Sequence, residues 1–482
     1  MKKTVEKQAA ARPDDLLAAV FISGACAMVI ELAGARMVAP YLGNTIYTWA
    51  AAIGLVMAAL STGYYIGGSL ADRYRDRSQF STILLCAGLL TLAIPFLGWA
   101  LLPFTVFLDL WIASIVASFI LVPASICYGM VSPYAIKLTA KAGEEGGSAG
   151  RIFALSTVGS IAGTLGTGFI LVPNVKLTYI FIMAALLMFL ASWVANRKGK
   201  VILMEGLAFV ALAGLTSQFG FYPLTNGSIL YQEDTQYYHI TVAEENISGS
   251  PATVLYLDNA MSSGEYHNGS LAFSYAAKSR LGYELAGPGN ALVLGLAAGT
   301  QLEDVKRNFP GANVDGVDID ARVVMVGKEY FSLKDDEGTN IIIDDARRYL
   351  KKTDKKYDLV IVDAFRGMSI PYHLTTKEFI GELKGGMNGD GVVIVNVISS
   401  VEGRKSGAFV RLYNTFASVF GNVVVIPIDR NLTQMQNVVL IATDKDVTEF
   451  RKKHADEIYS GEIPGTEPLS DELNPIDLYV AR

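Results

Sequence analysis

Seven apolar runs of about 20 residues occupy the first half of the chain, and they restrict its fold more tightly than any other feature. Hydrocarbon offers no water to backbone amides, so a crossing segment must close its hydrogen bonds within itself, and about 20 residues of helix cover ~30 Å. The runs cover residues 17–39, 49–71, 81–102, 110–133, 152–173, 177–195 and 201–221. They predict an α-helical membrane domain over residues 1–221, with six or seven transmembrane helices and lipid bilayer as its partner.

The short loops predict an orientation. Lys2, Lys3 and Lys7 precede the first run, Arg73, Arg75 and Arg77 follow the second, Lys137 and Lys141 follow the fourth, and Arg197, Lys198 and Lys200 follow the sixth. All four clusters fall on one side, which the positive-inside rule makes cytoplasmic. This gives a multi-pass protein of the cell (inner) membrane with its N-terminus in the cytoplasm. The side occupied by the second half of the chain depends on residues 201–221, which carry Glu205: a full crossing places that half outside, a re-entrant or interfacial segment keeps it inside.

Charge divides unevenly between the halves. Residues 1–225 hold fifteen Lys plus Arg against ten Asp plus Glu, and the remainder holds twenty-five against thirty-six. An acidic second half argues against nucleic acid, whose phosphates need a basic face. Cys26, Cys86 and Cys127 all lie in apolar runs, with no metal-ligand spacing, so neither a metal nor a disulfide framework is expected.

The second half alternates strand and helix patterns. Residues 291–294 read as a buried strand, and Gly295-Leu296-Ala297-Ala298-Gly299 follow as a turn tight enough to bring backbone N–H groups to a ligand. Three further apolar runs each end in acid: Asp318 and Asp320 after the second, Asp345 with Ala346 after the third, and Asp363 after the fourth. In an open α/β sheet the carboxyl edge of the strands holds the ligand, so this order predicts a Rossmann-like nucleoside-binding domain over residues 291–450. Ahead of it, residues 238–242 and 253–257 predict a small β-hairpin subdomain within 222–290, linked by a helix over 271–285. The tail from 451 to 482 is proline-punctuated and reads as irregular.

These residues resemble a family, the spermidine synthases (polyamine aminopropyltransferases), in the form fused to an N-terminal multi-spanning membrane domain. The resemblance is carried by residues 234–242, by Leu257-Asp258, by the glycine loop, by Asp318-Ile319-Asp320, by Asp345-Ala346, and by Tyr357-Asp358 leading to Asp363. In the membrane half it includes Glu31, Arg36, Leu42-Gly43 and the glycines Gly159, Gly163, Gly166 and Gly168. It implies a methyltransferase-type α/β fold and a donor, decarboxylated S-adenosylmethionine or S-adenosylmethionine. The implied donor-binding residues are Asp318 and Asp320 around the ribose and Asp345 with Ala346 around the adenine, beside the glycine loop with Gly295 and Gly299. Asp363 is the implied base and His373 a second catalytic candidate; Tyr237, Tyr238 and Arg366 are substrate candidates. The resemblance also implies a small-molecule acceptor, an amine, and a homodimer.

The acceptor half departs from the pattern. The family's glycine loop carries an aspartate for the aminopropyl amine where this chain has Ala298, and its Asp-Ser-x-Asp-Pro loop is here Asp363-Ala364-Phe365-Arg366-Gly367. The Gln that follows Tyr in the family's strand motif is here Tyr238, and its Asp-Glu-x-x-Tyr-His-Glu segment is here residues 267–273. Two like charges ~4 Å apart repel by several kcal/mol at an effective dielectric of 20, so Arg366 disfavours ordinary putrescine. Aminopropyl transfer, methyl or aminocarboxypropyl transfer, and a transporter or sensor with a regulatory nucleoside module all remain open readings.

Overall fold

The computed structural model describes residues 13–42, 45–105, 108–140, 145–195, 206, 211–217, 225, 227–365 and 370–479. The chain forms two compact units, Met1–Tyr222 and Pro223–Arg482.

Among the described residues the first unit has six helices long and apolar enough to cross a membrane: Asp15–Leu42, Ile46–Arg73, Arg77–Thr105, Trp111–Thr139, Gly146–Asn174 and Leu177–Ala195. The fourth is interrupted by a 3-10 turn at Phe119–Leu121 just ahead of Pro123, and the fifth by a π turn at Thr167–Leu171 ahead of Pro173. Both interruptions fit proline's missing N–H, which leaves the preceding turn short of a hydrogen bond. Most of the seventh apolar run, including Glu205, lies outside the described residues, as do the N-terminal lysines and Arg197, Lys198 and Lys200; residues 211–216 are helical.

Small residues set how closely these helices approach. A Cβ at Gly159 or Gly163 would collide with the carbonyls of Phe21 or Ala25 on the first helix, and one at Gly63 or Gly129 would collide across the second and fourth helices. Gly166 and Gly168 face open space, so they take no part in that contact. The basic loop after the second helix is tied to the fourth: Lys137 pairs with Asp72 at 2.5 Å, Arg75 donates to the Ala140 carbonyl at 2.9 Å, and the Tyr134 hydroxyl reaches the Tyr74 and Asp76 carbonyls.

The second unit opens with a four-stranded antiparallel sheet that contains the expected hairpin and adds a strand on either side of it. Its strands are β1 (Ser228–Asp234), β2 (His239–Ile247), β3 (Ser250–Leu257) and β4 (Ala260–Tyr266), in sequential order. β2 and β3 turn through Ser248-Gly249, both at positive φ, so the strands run longer than the apolar pattern alone suggests. Tyr237 and Tyr238 fall in the connection before β2 and not within a strand. Ile240, Val242, Leu255 and Leu257 pack on Ala298, Val323 and Val326, which seats this sheet over the glycine loop.

The main sheet has seven strands in the order β10-β11-β9-β8-β5-β6-β7. They are β5 (Asn290–Leu294), β6 (Asn313–Asp318), β7 (Thr339–Ile343), β8 (Tyr357–Val362), β9 (Met387–Ser399), β10 (Asn422–Pro427) and β11 (Gln436–Thr443). β5 to β9 are parallel, while β11 enters antiparallel between β9 and β10. Parallel strands covered on both faces need apolar residues on both, and β5 supplies Leu292 and Leu294 to one core and Ala291 and Val293 to the other. This is the Rossmann-like, methyltransferase-type fold. The tail is largely without regular structure, yet Leu469 and Ile476 are buried in the core, and Asp471 joins Glu382 in holding Arg347.

Candidate active site

From β5 the chain runs outward through β6 to β7 and returns on the other side of β5 as β8, so the crevice between β5 and β8 is the topological switch point. A cavity of about 540 Å³ opens there, at the carboxyl ends of β5 to β9. Gly295, Ala297, Asp318, Asp344, Asp345, Ala346 and Asp363 line it from the main sheet; Tyr238, Leu257, Met261, Phe273 and Tyr275 line it from the small sheet and the segments flanking it.

Two glycines shape the loop under the cavity. Gly295 has φ +84°, and a Cβ there would lie 2.6 Å from the Asp363 carbonyl oxygen, so β5 and β8 can end side by side only with glycine at this position. Gly299 has φ +77° and sits against Leu333, closing the loop before the helix Thr300–Asn308; it does not line the cavity. Between them Ala297 holds φ +48° without being glycine, a strained backbone at the ligand-facing edge. Asp318 fixes that loop: its Oδ2 accepts from Ala297 N at 2.9 Å and its Oδ1 from Asp320 N at 2.9 Å.

Asp320, expected beside a ribose, takes a different role. It caps the helix Ala321–Tyr330 by accepting from Arg322 N at 2.9 Å, and Thr235 donates to its second oxygen at 2.5 Å. Its carboxylate is buried and stands apart from the cavity lining. Asp345 caps the next helix through Arg348 N at 2.9 Å and meets His373 Nε2 at 3.0 Å, so it remains at the cavity while doing so. His373, the second catalytic candidate, lines the cavity and pairs with Asp345, the acid after β7. Tyr237 stands outside the lining, whereas Tyr238 is in it. Arg366 lies outside the described residues.

Asp363 ends β8 inside a ring of donors. Asn396 Nδ2 reaches its Oδ1 at 2.8 Å, the Tyr275 hydroxyl reaches its Oδ2 at 3.0 Å, and the Gln301 side-chain amide also donates to Oδ2. Burial pushes the carboxyl up to about 6 even though all three donors pull it down. Tyr275 stays protonated and donating, because burial and the neighbouring Asp363 charge raise its own pKa well above the usual value. Asn437 donates to Asn396 Oδ1 at 3.0 Å and so orients the amide that holds Asp363. A carboxyl near 6 in a cavity can take a proton at neutral pH and return it, which a fully solvated aspartate does poorly.

Tyr275, Gln301, Asn396 and Asn437 were not legible as site residues. Asn396 left the clearest trace, a lone amide within the apolar strand Val392–Val397. Gln301 and Tyr275 sit on helices and converge on Asp363 only when β8 and β5 pair.

A match to the spermine/spermidine synthase domain model covers residues 281–407, the segment that contains the glycine loop, Asp318, Asp345 and Asp363. These residues form a spermine/spermidine synthase domain. Curated relatives agree: the chain is 36% identical over 137 residues to a probable polyamine aminopropyl transferase of Bifidobacterium longum, and 33% identical over 141 residues to a polyamine aminopropyltransferase of Vibrio vulnificus. Each match covers 28% of this chain, and it spans 29% of the first relative and 44% of the second. Among solved structures, a probable spermidine synthase from Corynebacterium glutamicum is similar at 18% identity and a TM-score of 0.42, over 53% of this chain and 94% of that one. The synthase domain thus belongs to the second unit, and the six helices of membrane-spanning length belong to the first.

Proposed function

We propose that the second unit is a transferase that uses decarboxylated S-adenosylmethionine as donor and moves its aminopropyl group to an amine acceptor. The observation that carries this reading is Asp363, an acid near pKa 6 at the switch-point cavity, surrounded by three donors that orient it. Asp318, with its loop contacts made through backbone N–H groups, presents the cavity with an acid suited to a ribose diol, and Asp345 with Ala346 lies where an adenine edge would meet them. The described lining contains four carboxylates and no Lys or Arg, a field that favours a sulfonium donor without an α-carboxylate.

Transfer needs little covalent help from the protein. The acceptor nitrogen lone pair forms a bond to the carbon attached to sulfur, the C–S bond breaks with its electron pair going to sulfur, and the sulfonium becomes a neutral thioether. Asp363 takes the proton that the acceptor nitrogen loses. Holding nucleophile and donor in line supplies most of the acceleration.

A second reading is favoured by Ala298, which is fully buried and leaves the loop without the acid that would grip an aminopropyl amine. In that case S-adenosylmethionine itself is the donor. Titration calorimetry of the full chain in detergent with both donors separates the two readings, and the product does so independently: methylthioadenosine marks aminopropyl or aminocarboxypropyl transfer, S-adenosylhomocysteine methyl transfer. Binding of neither donor sinks both. Asp363→Asn is expected to keep donor affinity and lose turnover by about 10²–10⁴-fold.

The membrane reading is part of the proposal. Six helices of spanning length, with Arg73, Arg75, Arg77 and Lys137 at ends predicted to be cytoplasmic, support a multi-pass anchor that keeps the transferase on the side where its donor is made. Protease treatment of intact and opened cells tests it: digestion of the second unit in intact cells would overturn that placement.

A further inference from the structure

Resting on the transferase reading, we infer that the acceptor is a monoamine with an apolar or aromatic body, and not a di- or polyamine. The cavity has two chemically different sides. Its carboxylates, Asp318, Asp344, Asp345 and Asp363, all stand at the ends of β6, β7 and β8. The lining contributed by the small sheet and the segment after it includes Leu257, Met261, Phe273 and Tyr275, with serines and no acid among the described residues, and Phe365 and Ile398 add further apolar surface. The rings of Phe273 and Tyr275 stand with centroids 6.1 Å apart and planes 28° apart, an aromatic pair that can contact an apolar or aromatic group.

Three of the four lining acids already hold charged groups or helix and loop amides. Asp318 holds the Ala297 and Asp320 amides, Asp344 pairs with Arg348 at 2.6 Å and Lys352 at 3.5 Å, and Asp345 caps a helix and meets His373. Asp363, whose three donors Tyr275, Gln301 and Asn396 are all neutral, is the carboxylate that the transferase reading assigns to the attacking nitrogen. A second ammonium on the same acceptor would lie along the apolar lining without an anion, and an unpaired buried cation is strongly disfavoured. The donor's own amine, if present, draws on the same acids and leaves still less for a second acceptor charge.

The test uses the full chain in detergent with decarboxylated S-adenosylmethionine, following methylthioadenosine release with n-butylamine, phenethylamine and putrescine. The two monoamines are expected to exceed putrescine in kcat/KM by at least about tenfold. Putrescine equal to or better than n-butylamine overturns the inference while leaving the transferase reading intact, and turnover with none of the three sinks both. Met261→Glu adds an acid to that lining and is expected to shift the preference toward putrescine; an active variant with an unchanged ratio would also overturn the inference.

Discussion

The Tyr275 hydroxyl donates to Asp363 Oδ2 across 3.0 Å, joining a short helix that follows the small sheet to the end of β8. These residues are 88 apart in sequence, and their contact opposes the burial that raises the pKa of the acid. Removing the hydroxyl in Tyr275→Phe removes one of the three donors that favour the charged form. The acid limb of the pH–rate profile, expected near 6 in the wild type, should move up by about one unit, the worth of one hydrogen bond to a charged group. A drop in rate with an unmoved limb would show that Tyr275 only packs.

Asp363 also makes a stability prediction whose sign follows from its raised pKa. An acid with a folded value near 6 and an unfolded value near 3.9 binds its proton more tightly when folded. Its stabilising contribution is complete below about pH 4 and is lost as pH rises through about 6. Asp363→Asn should therefore gain stability relative to wild type across that window, by about 2–3 kcal/mol at its upper end, less the cost of re-orienting the donor amides. Denaturant unfolding at pH 4 and pH 8 checks it; a constant difference between the two would contradict the enclosure of this carboxyl.

Gly295→Ala places a Cβ 2.6 Å from the Asp363 carbonyl oxygen and 2.8 Å from Ala364 Cα, at φ +84°. The backbone of β8 must then move at the residue that carries the candidate base. A loss of about 2–3 kcal/mol is expected, with turnover falling further than donor affinity.

Ala297→Gly should act in the opposite direction, because glycine relieves an alanine held at φ +48°. A gain of about 1 kcal/mol is expected in thermal unfolding, unless the added freedom of the unfolded chain cancels it.

In the first unit, Gly163→Leu and Gly166→Leu form a matched pair. The first drives a side chain into the Ala25 carbonyl of the neighbouring helix, while the second enters open space. Thermal unfolding in detergent should show a large loss for Gly163→Leu and little change for Gly166→Leu.

The six helices of spanning length and the acid-tipped strands were legible in the sequence because each follows from a local rule. Twenty apolar residues have one low-energy conformation in hydrocarbon, and an apolar run ending in acid has a preferred place in an open sheet. Local pattern also located Gly295, Asp318, Asp345 and Asp363 at the strand ends. The resemblance implied Asp320 beside the ribose, where the fold makes it the N-cap of Ala321–Tyr330; His373 lines the cavity and meets Asp345. Only the tertiary structure brought Tyr275, Gln301 and Asn396 to Asp363 and, among the described residues, lined the cavity from the small sheet without a carboxylate. Those relations depend on which strands pair and on where the small sheet docks, and both are set by burial summed over the whole unit, which no local window records.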